Sequence, residues 1–209
     1  MAKKAIKRAP QKKSKKGSNK PNWRKILRWM GIGGLACSIA VFIVFRFVPI
    51  PTTPYILSEK SRLGSVHSEW MPIEEISDTL KLTVVAAEDV NFCQHWGFDM
   101  SAIRSAIQDG GDRGASTLTQ QVVKNTFLWH GRSWVRKTLE AFLTPLVELF
   151  WSKERILEVY LNVAEFDEGV FGAEAASLHY FGISSDSLTL AGAARLAAIL
   201  PDPKGRSAS

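Results

Sequence analysis

The residues whose types and spacing first suggest chemistry are Glu88 and Asp89, with Phe92, His95, Trp96 and Phe98 close behind. Neighbouring helical positions point about 100° apart, so the two carboxylates cannot share one apolar interface. The aromatics are expected to wrap the segment that carries His95. A carboxylate beside such walls is the group with which an enzyme takes or gives a proton near neutral pH. An acidic helix end followed by a packed loop fits the same residues. A second group is Ser116, Gln120, Gln121, Lys124 and Asn125. At helical spacing the last four fall in an arc roughly 140° wide, away from Leu118, Val122 and Val123. Two amides, an ammonium and a hydroxyl suit sugar hydroxyls and a phosphate, and an ordinary solvated face is the alternative. A third group is Arg132, Arg136, Lys137 and Glu140. Cations near a helix start make a natural anion site. Arg136 and Glu140 are also four apart, which alone gives an ion pair of about 0.3 kcal/mol.

Helices must position these groups. Ile76, Leu80, Val84 and Ala87 recur at helical spacing and predict a helix that begins near Ser77-Asp78 and ends at the acidic pair. Asp99 is a cap for a helix over 101–107, closed by Gly110-Gly111, and Ser116 a cap for one over 117–128. Ser133 caps a helix running to Phe150, with Val135, Leu139, Phe142, Leu143, Leu146, Val147 and Phe150 on one side. Arg136, Lys137, Glu140, Thr144 and Glu148 take the other side, and Pro145 is expected to kink the helix. Ser152 caps a helix over 153–163, with Glu154, Glu158 and Asn162 on one face. A glycine-containing acidic loop comes next over 165–172, then a helix closed at Gly182 and an Ala-rich helix over 188–200 stopped by Pro201. Strands have few candidates, and no internal repeat is visible.

Charge divides the chain in two. Residues 1–28 hold 12 of the 27 Lys/Arg and none of the acids, so the net charge of +7 belongs to the tail and the remainder is mildly acidic. The organisation expected is a basic disordered cytoplasmic tail over 1–25, a transmembrane helix over 26–48, a connector over 49–75 and a catalytic domain over 76–209. Residues 29–45 are 17 consecutive uncharged and mostly apolar positions, extended by snorkelling Arg28 or Arg46 to the span of a bilayer core. The positive flank holds the N-terminus in the cytoplasm and sends the chain beyond Pro51 across the membrane. That neighbour also removes nucleic acid as the partner of the basic tail. Cys37 lies in the span and Cys93 in the acidic motif, so no disulfide is expected, and no Cys/His cluster suggests zinc.

Five motifs occur in order: Glu88-Asp89-x-x-Phe92-x-x-His95-x-Gly97, Gly114-x-Ser116-Thr117-x-Thr119-Gln120-Gln121-x-x-Lys124-Asn125, Arg136-Lys137-x-x-Glu140, Lys153-x-x-Ile156-Leu157-Glu158-x-Tyr160-Leu161-Asn162, and Leu196-Ala197-Ala198-Ile199-Leu200-Pro201-x-Pro203. The series resembles that of the bacterial peptidoglycan glycosyltransferases, family 51, over about residues 70–203. Its monofunctional branch is the nearer likeness, because the 209 residues contain no Ser-x-x-Lys nucleophile motif.

The resemblance implies a mainly α, lysozyme-like glycosyltransferase lobe with a small membrane-proximal lobe, anchored in the bacterial inner membrane with the catalytic domain periplasmic. It implies lipid II and the lipid-linked glycan chain as substrates, and proteins of cell-wall synthesis and division as neighbours. By the same likeness Glu88 is the general base. Lys124, Arg132 and Arg136, with Lys137, face the pyrophosphate, while Ser116, Gln120 and Gln121 line the donor sugar site. Asp89, Phe92 and His95 order the first motif. Glu140, the family's second glutamate, either orients the cations or holds a divalent ion, Mg2+ or Mn2+, and no organic cofactor is implied. The segment 99–114 is shorter and richer in glycine than the family pattern. The chain also stops soon after the fifth motif, where final helices of the lobe are expected to be missing or dispensable. Two rivals are a peptidoglycan-cleaving lytic transglycosylase or muramidase, which has no use for cations at a leaving group, and an inactive scaffold.

Overall fold

The computed structural model describes residues 23–110, 114, 116–131 and 133–209, and they are mainly helical. Most of the expected tail (residues 1–22), Gly111 and Arg132 lie outside the described residues. Helix α1 (Trp23–Phe47) is long and apolar enough to cross a membrane and begins three residues before the expected span. Among the described residues, 23–38 and 39–209 belong to separate units.

Within the larger unit, the end of α1 is built into the body. Phe42 packs against Phe127 and Phe150 at centroid distances of 5.3 and 5.8 Å, and the Trp151 indole N–H donates to the Phe42 carbonyl at 2.8 Å. Arg155 donates to the carbonyls of Phe45 and Val48, satisfying acceptors that a helix end leaves open.

The stretch 49–75, expected as a connector, contains helix α2 (Pro54–Leu63) and strand β1 (His67–Ser68). Thr53 accepts from the Ile56 N–H, and Pro54 stands at the first helical position, where its missing N–H does no harm. A proline that looks like a breaker in sequence, Pro54, therefore starts a helix. Tyr55 and Ile56 of α2 bury against Phe171. β1 pairs in parallel with β3 (Val170–Phe171), which pairs antiparallel with β2 (Glu165–Asp167). The order is β1-β3-β2.

The site is carried by α3 (Asp78–Glu88), α4 (Met100–Gln108), α5 (Leu118–Phe127), α6 (Trp134–Phe150) and α7 (Lys153–Val163). Helices α8 (Ala173–Phe181) and α9 (Leu190–Ile199) complete the body. α3 packs along α9, and α5 packs on both α6 and α7. Leu80 and Val84 of α3, Leu118 and Val122 of α5, Ile156 of α7 and Leu196 of α9 are fully buried. Each such side chain stabilises the fold by about 1.5–3 kcal/mol relative to exposure.

α6 turns part of both its sides inward: Val147 of the apolar side is fully buried and Leu143, Leu146 and Phe150 pack on the core. Glu140, Thr144 and Glu148 of the polar side are buried as well, whereas Val135 and Phe142 of the apolar side, with Leu149 further along the helix, are 65, 69 and 59% exposed. Burial of the polar side is tolerated because its groups are hydrogen-bonded: Glu148 accepts from the Thr119 hydroxyl at 2.6 Å and the Lys153 ammonium at 2.7 Å. An apolar stripe does not reveal that a polar stripe of the same helix also turns inward when polar partners are waiting.

Candidate active site

One cavity of about 1130 Å³ lies where α3 ends and α5 begins, with the segment after α9 on its rim. Glu88, Gln121, Lys124, Ser116 and Arg206 are among its walls. Glu88 is the last residue of α3 and accepts from the Gln121 Nε2 at 2.7 Å. It is half-buried; of the aromatics expected to wrap the motif, Phe92 is buried and Phe98 partly buried, while Trp96 is 67% exposed.

Asp89 is the buried member of the pair. Its carboxylate accepts from His95 Nε2 at 2.9 Å and from the Leu118 N–H, the first of α5, at 2.9 Å. A negative group at a helix N-terminus is favourable by about 0.3–1 kcal/mol. This bond ties the end of α3 to the start of α5. Phe92 lies under the Lys153 ammonium, 4.5 Å from the ring centroid, and meets the His95 ring edge-on. Gly97 has φ +82°, and a Cβ there would come within 2.5 Å of Thr144 Cγ2, so the loop of the first motif lies directly against α6. Asp99 caps α4 as expected; hydrogen bonds from Ser101, Ala102 and Asn91 hold its carboxyl well below the usual range.

The start of α5 differs from expectation. The cap is Thr117, not Ser116: its hydroxyl accepts from the Gln120 N–H while the Gln120 side chain accepts from the Thr117 N–H. Gln120 is thus turned inward and 5% exposed, away from the cavity in which it is expected to meet sugar. The Thr-x-x-Gln spacing is the signal that could have found this capping box. Ser116 is left exposed and accepts from Lys137 Nζ at 3.2 Å. Gln121 and Lys124 do face the cavity.

Lys124 has no hydrogen-bond partner for its ammonium among the described residues. Burial holds its pKa below the ordinary 10.5, with Arg136 and Lys137 pushing the same way and Glu140 and Glu88 opposing. The folded protein therefore releases this proton before the unfolded chain does, and stability rises as pH climbs from the folded value toward 10.5. Lys124→Met is expected to stabilise the protein by about 1 kcal/mol at neutral pH while lowering activity. Thermal melts at neutral pH and near pH 10 check this, since the difference should shrink at the higher pH.

Glu140 is 2% exposed and collects two cations from its own helix. Arg136 Nη1 donates to its Oε2 at 2.6 Å, and Lys137 Nζ to its Oε1. Arg136 also donates to the Gly131 carbonyl at 2.8 Å. Through Ser116, Lys137 connects this triad to the cavity wall. The position of Arg132 is outside the described residues.

A second cavity of about 340 Å³ shares Gln121, Lys124, Leu200 and Pro201 with the first. Tyr55, which hydrogen-bonds Glu165, and Lys204, which pairs with Glu59 at 2.9 Å, border it. There burial and the charges of Lys124 and Lys204 pull His130 down to about 4. Sequence reasoning does not single out Tyr160, Arg206 or the Thr119–Glu148–Lys153 network as parts of the site. The network joins positions 29 and 5 residues apart, separations at which no local pattern exists. Asn162 is another such clamp: its side chain takes both the N–H and the carbonyl of Met71.

Residues 57–209 match the family model described as Transglycosylase. The chain is 57% identical over 184 residues to a biosynthetic peptidoglycan transglycosylase of Jannaschia sp. (strain CCS1), which covers 87% of this chain and 77% of that protein. A protein of the same description from Pseudomonas putida (strain W619) is 51% identical over 195 residues, 88% of this chain and 81% of its own length.

Proposed function

The chain belongs to the transglycosylase family and is a peptidoglycan glycosyltransferase, and we propose that Glu88 is the base with which it polymerises lipid II. The 4-hydroxyl of the acceptor sugar gives its proton to Glu88 and attacks the anomeric carbon of the lipid-linked donor. The bond from that carbon to undecaprenyl pyrophosphate breaks with inversion, which leaves a β-1,4 linkage. The leaving diphosphate gathers negative charge, which Lys124 stabilises, with Arg136, Lys137 and Arg132 as further cations. The observation that carries this reading is that a carboxylate and an ammonium without a hydrogen-bond partner among the described residues, Glu88 and Lys124, line one cavity.

Of the two roles open to Glu140, orientation of cations is the better supported. Both its oxygens already accept from Arg136 and Lys137, and no group of three His, Cys, Asp or Glu suited to a metal exists among the described residues. A divalent Mg2+ or Mn2+ does not fit that donor set as it stands. The mechanism therefore uses the chain's own cations.

The membrane is the proposed setting. α1 would span the inner membrane with the basic tail cytoplasmic, by the positive-inside tendency, and the body would work on the periplasmic side. The outward apolar face of α6 supports a body that operates against lipid. The test is the 209-residue chain in detergent with lipid II, where lengthening glycan strands are expected. Release of muropeptides from finished sacculi, without polymerisation, would favour the lytic rival instead.

A further inference from the structure

Glu88 is held by a chain of hydrogen bonds that runs through three helices. Tyr160 of α7 donates its hydroxyl to Gln121 Oε1 at 3.3 Å, and Gln121 of α5 donates Nε2–H to Glu88 Oε2 at 2.7 Å. Each link has a fixed direction. A carboxylate only accepts, so the amide must turn its nitrogen toward Glu88. Its oxygen then faces Tyr160, whose hydroxyl has a hydrogen to give. Tyr160 is 1% exposed, and burial together with the charge of Glu88 holds its pKa well above the ordinary 10.0, so that hydrogen stays in place. Gln121 Oε1 is the hydroxyl's hydrogen-bond partner among the described residues.

A primary amide is nearly symmetric in shape, so shape alone sets its orientation poorly. Turned by half a rotation, Gln121 would present an oxygen to the carboxylate and repel it. The Tyr160 hydroxyl disfavours that arrangement, because the amide would then offer it only a donor. With Gln121 locked, Glu88 Oε2 is engaged while Oε1 keeps no hydrogen-bond partner among the described residues, on a side chain that borders the main cavity.

We propose that Tyr160 is a positioning residue for the reaction: by fixing the Gln121 amide it aims the free oxygen of Glu88 at the incoming hydroxyl. This rests on Glu88 being the base. The ring of Tyr160 packs in the core, so Tyr160→Phe removes the hydroxyl and leaves the packing.

The experiment measures kcat and KM for lipid II polymerisation by the full chain in detergent. Wild type, Tyr160→Phe, Gln121→Leu and the double variant are compared, with melting temperatures for each. Tyr160→Phe is expected to lower kcat about five- to twentyfold, with KM within about twofold and melting close to wild type. In the Gln121→Leu background the same change should add little, because its effect passes through that amide. An unchanged kcat in Tyr160→Phe overturns the proposal, as does an equal loss in both backgrounds or a loss that simply tracks melting temperature. Glu88→Gln, run alongside, separates the two ideas. If it is inactive while Tyr160→Phe is normal, only the positioning role falls; if it polymerises normally, the base assignment falls and the positioning role with it.

Discussion

Glu88→Gln is expected to slow lipid II polymerisation by about 10²- to 10⁴-fold, the range over which a positioned base accelerates proton transfer. The substitution is nearly isosteric. Its carbonyl can still accept from the Gln121 amide, which is the one hydrogen bond to Glu88 among the described residues. Half-buried and bonded once, the side chain contributes little to folding, and melting should move by no more than about 1 kcal/mol of stability. The measurement is the initial rate of strand lengthening in detergent beside a thermal melt. Polymerisation within about threefold of wild type would remove Glu88 from the chemistry.

Glu140→Ala is expected to affect both folding and activity. Removing one member of a buried pair leaves an uncompensated charge, a loss of about 3–5 kcal/mol when both partners are dry. Here the Lys137 side chain is 43% exposed and the Arg136 side chain 12%, so water relieves part of the penalty and about 2–3 kcal/mol is the expected change. Activity should fall at least tenfold, because the cations lose the group that fixes their direction. Denaturant midpoints give the first figure and polymerisation rates the second. A variant with wild-type stability and wild-type rate would show that the triad orients nothing. Glu140→Gln separates charge from shape: it keeps the volume, and it should still lose activity.

Helical period made much of this fold legible. Leu80 and Val84 announce α3 because a half-buried helix must place apolar groups on one stripe, and Ser133 and Ser152 mark helix starts because their hydroxyls take orphan N–H groups. Glu88, Gln121 and Lys124 could be nominated on the same grounds, being polar groups where helices end or turn a polar face. Gln120 could not be separated from Gln121 by side-chain type; the capping box with Thr117 decides it, and that depends on the entry geometry of one turn. Tyr160 has the type of a core residue, which it is. Its hydroxyl acquires meaning only when α5 brings Gln121 alongside, 39 positions away in sequence. α2 is hidden by the proline at its start, and the burial of Glu140, Thr144 and Glu148 on α6 by the assumption that water takes the charges.

In the membrane setting proposed above, the exposed apolar stripe of α6 would set a depth for the reaction. An α-helix with its side chains is about 10–12 Å across, so the Glu140 triad on one side and the bare Phe142 and Leu149 on the other are separated by a single helical width. A prenyl tail lying along the outer side would leave its diphosphate at headgroup level and still reach the cations. On that proposal the donor would not need to be hauled out of the bilayer before each sugar is joined, and the polymer would grow away into water while its tether stays in oil.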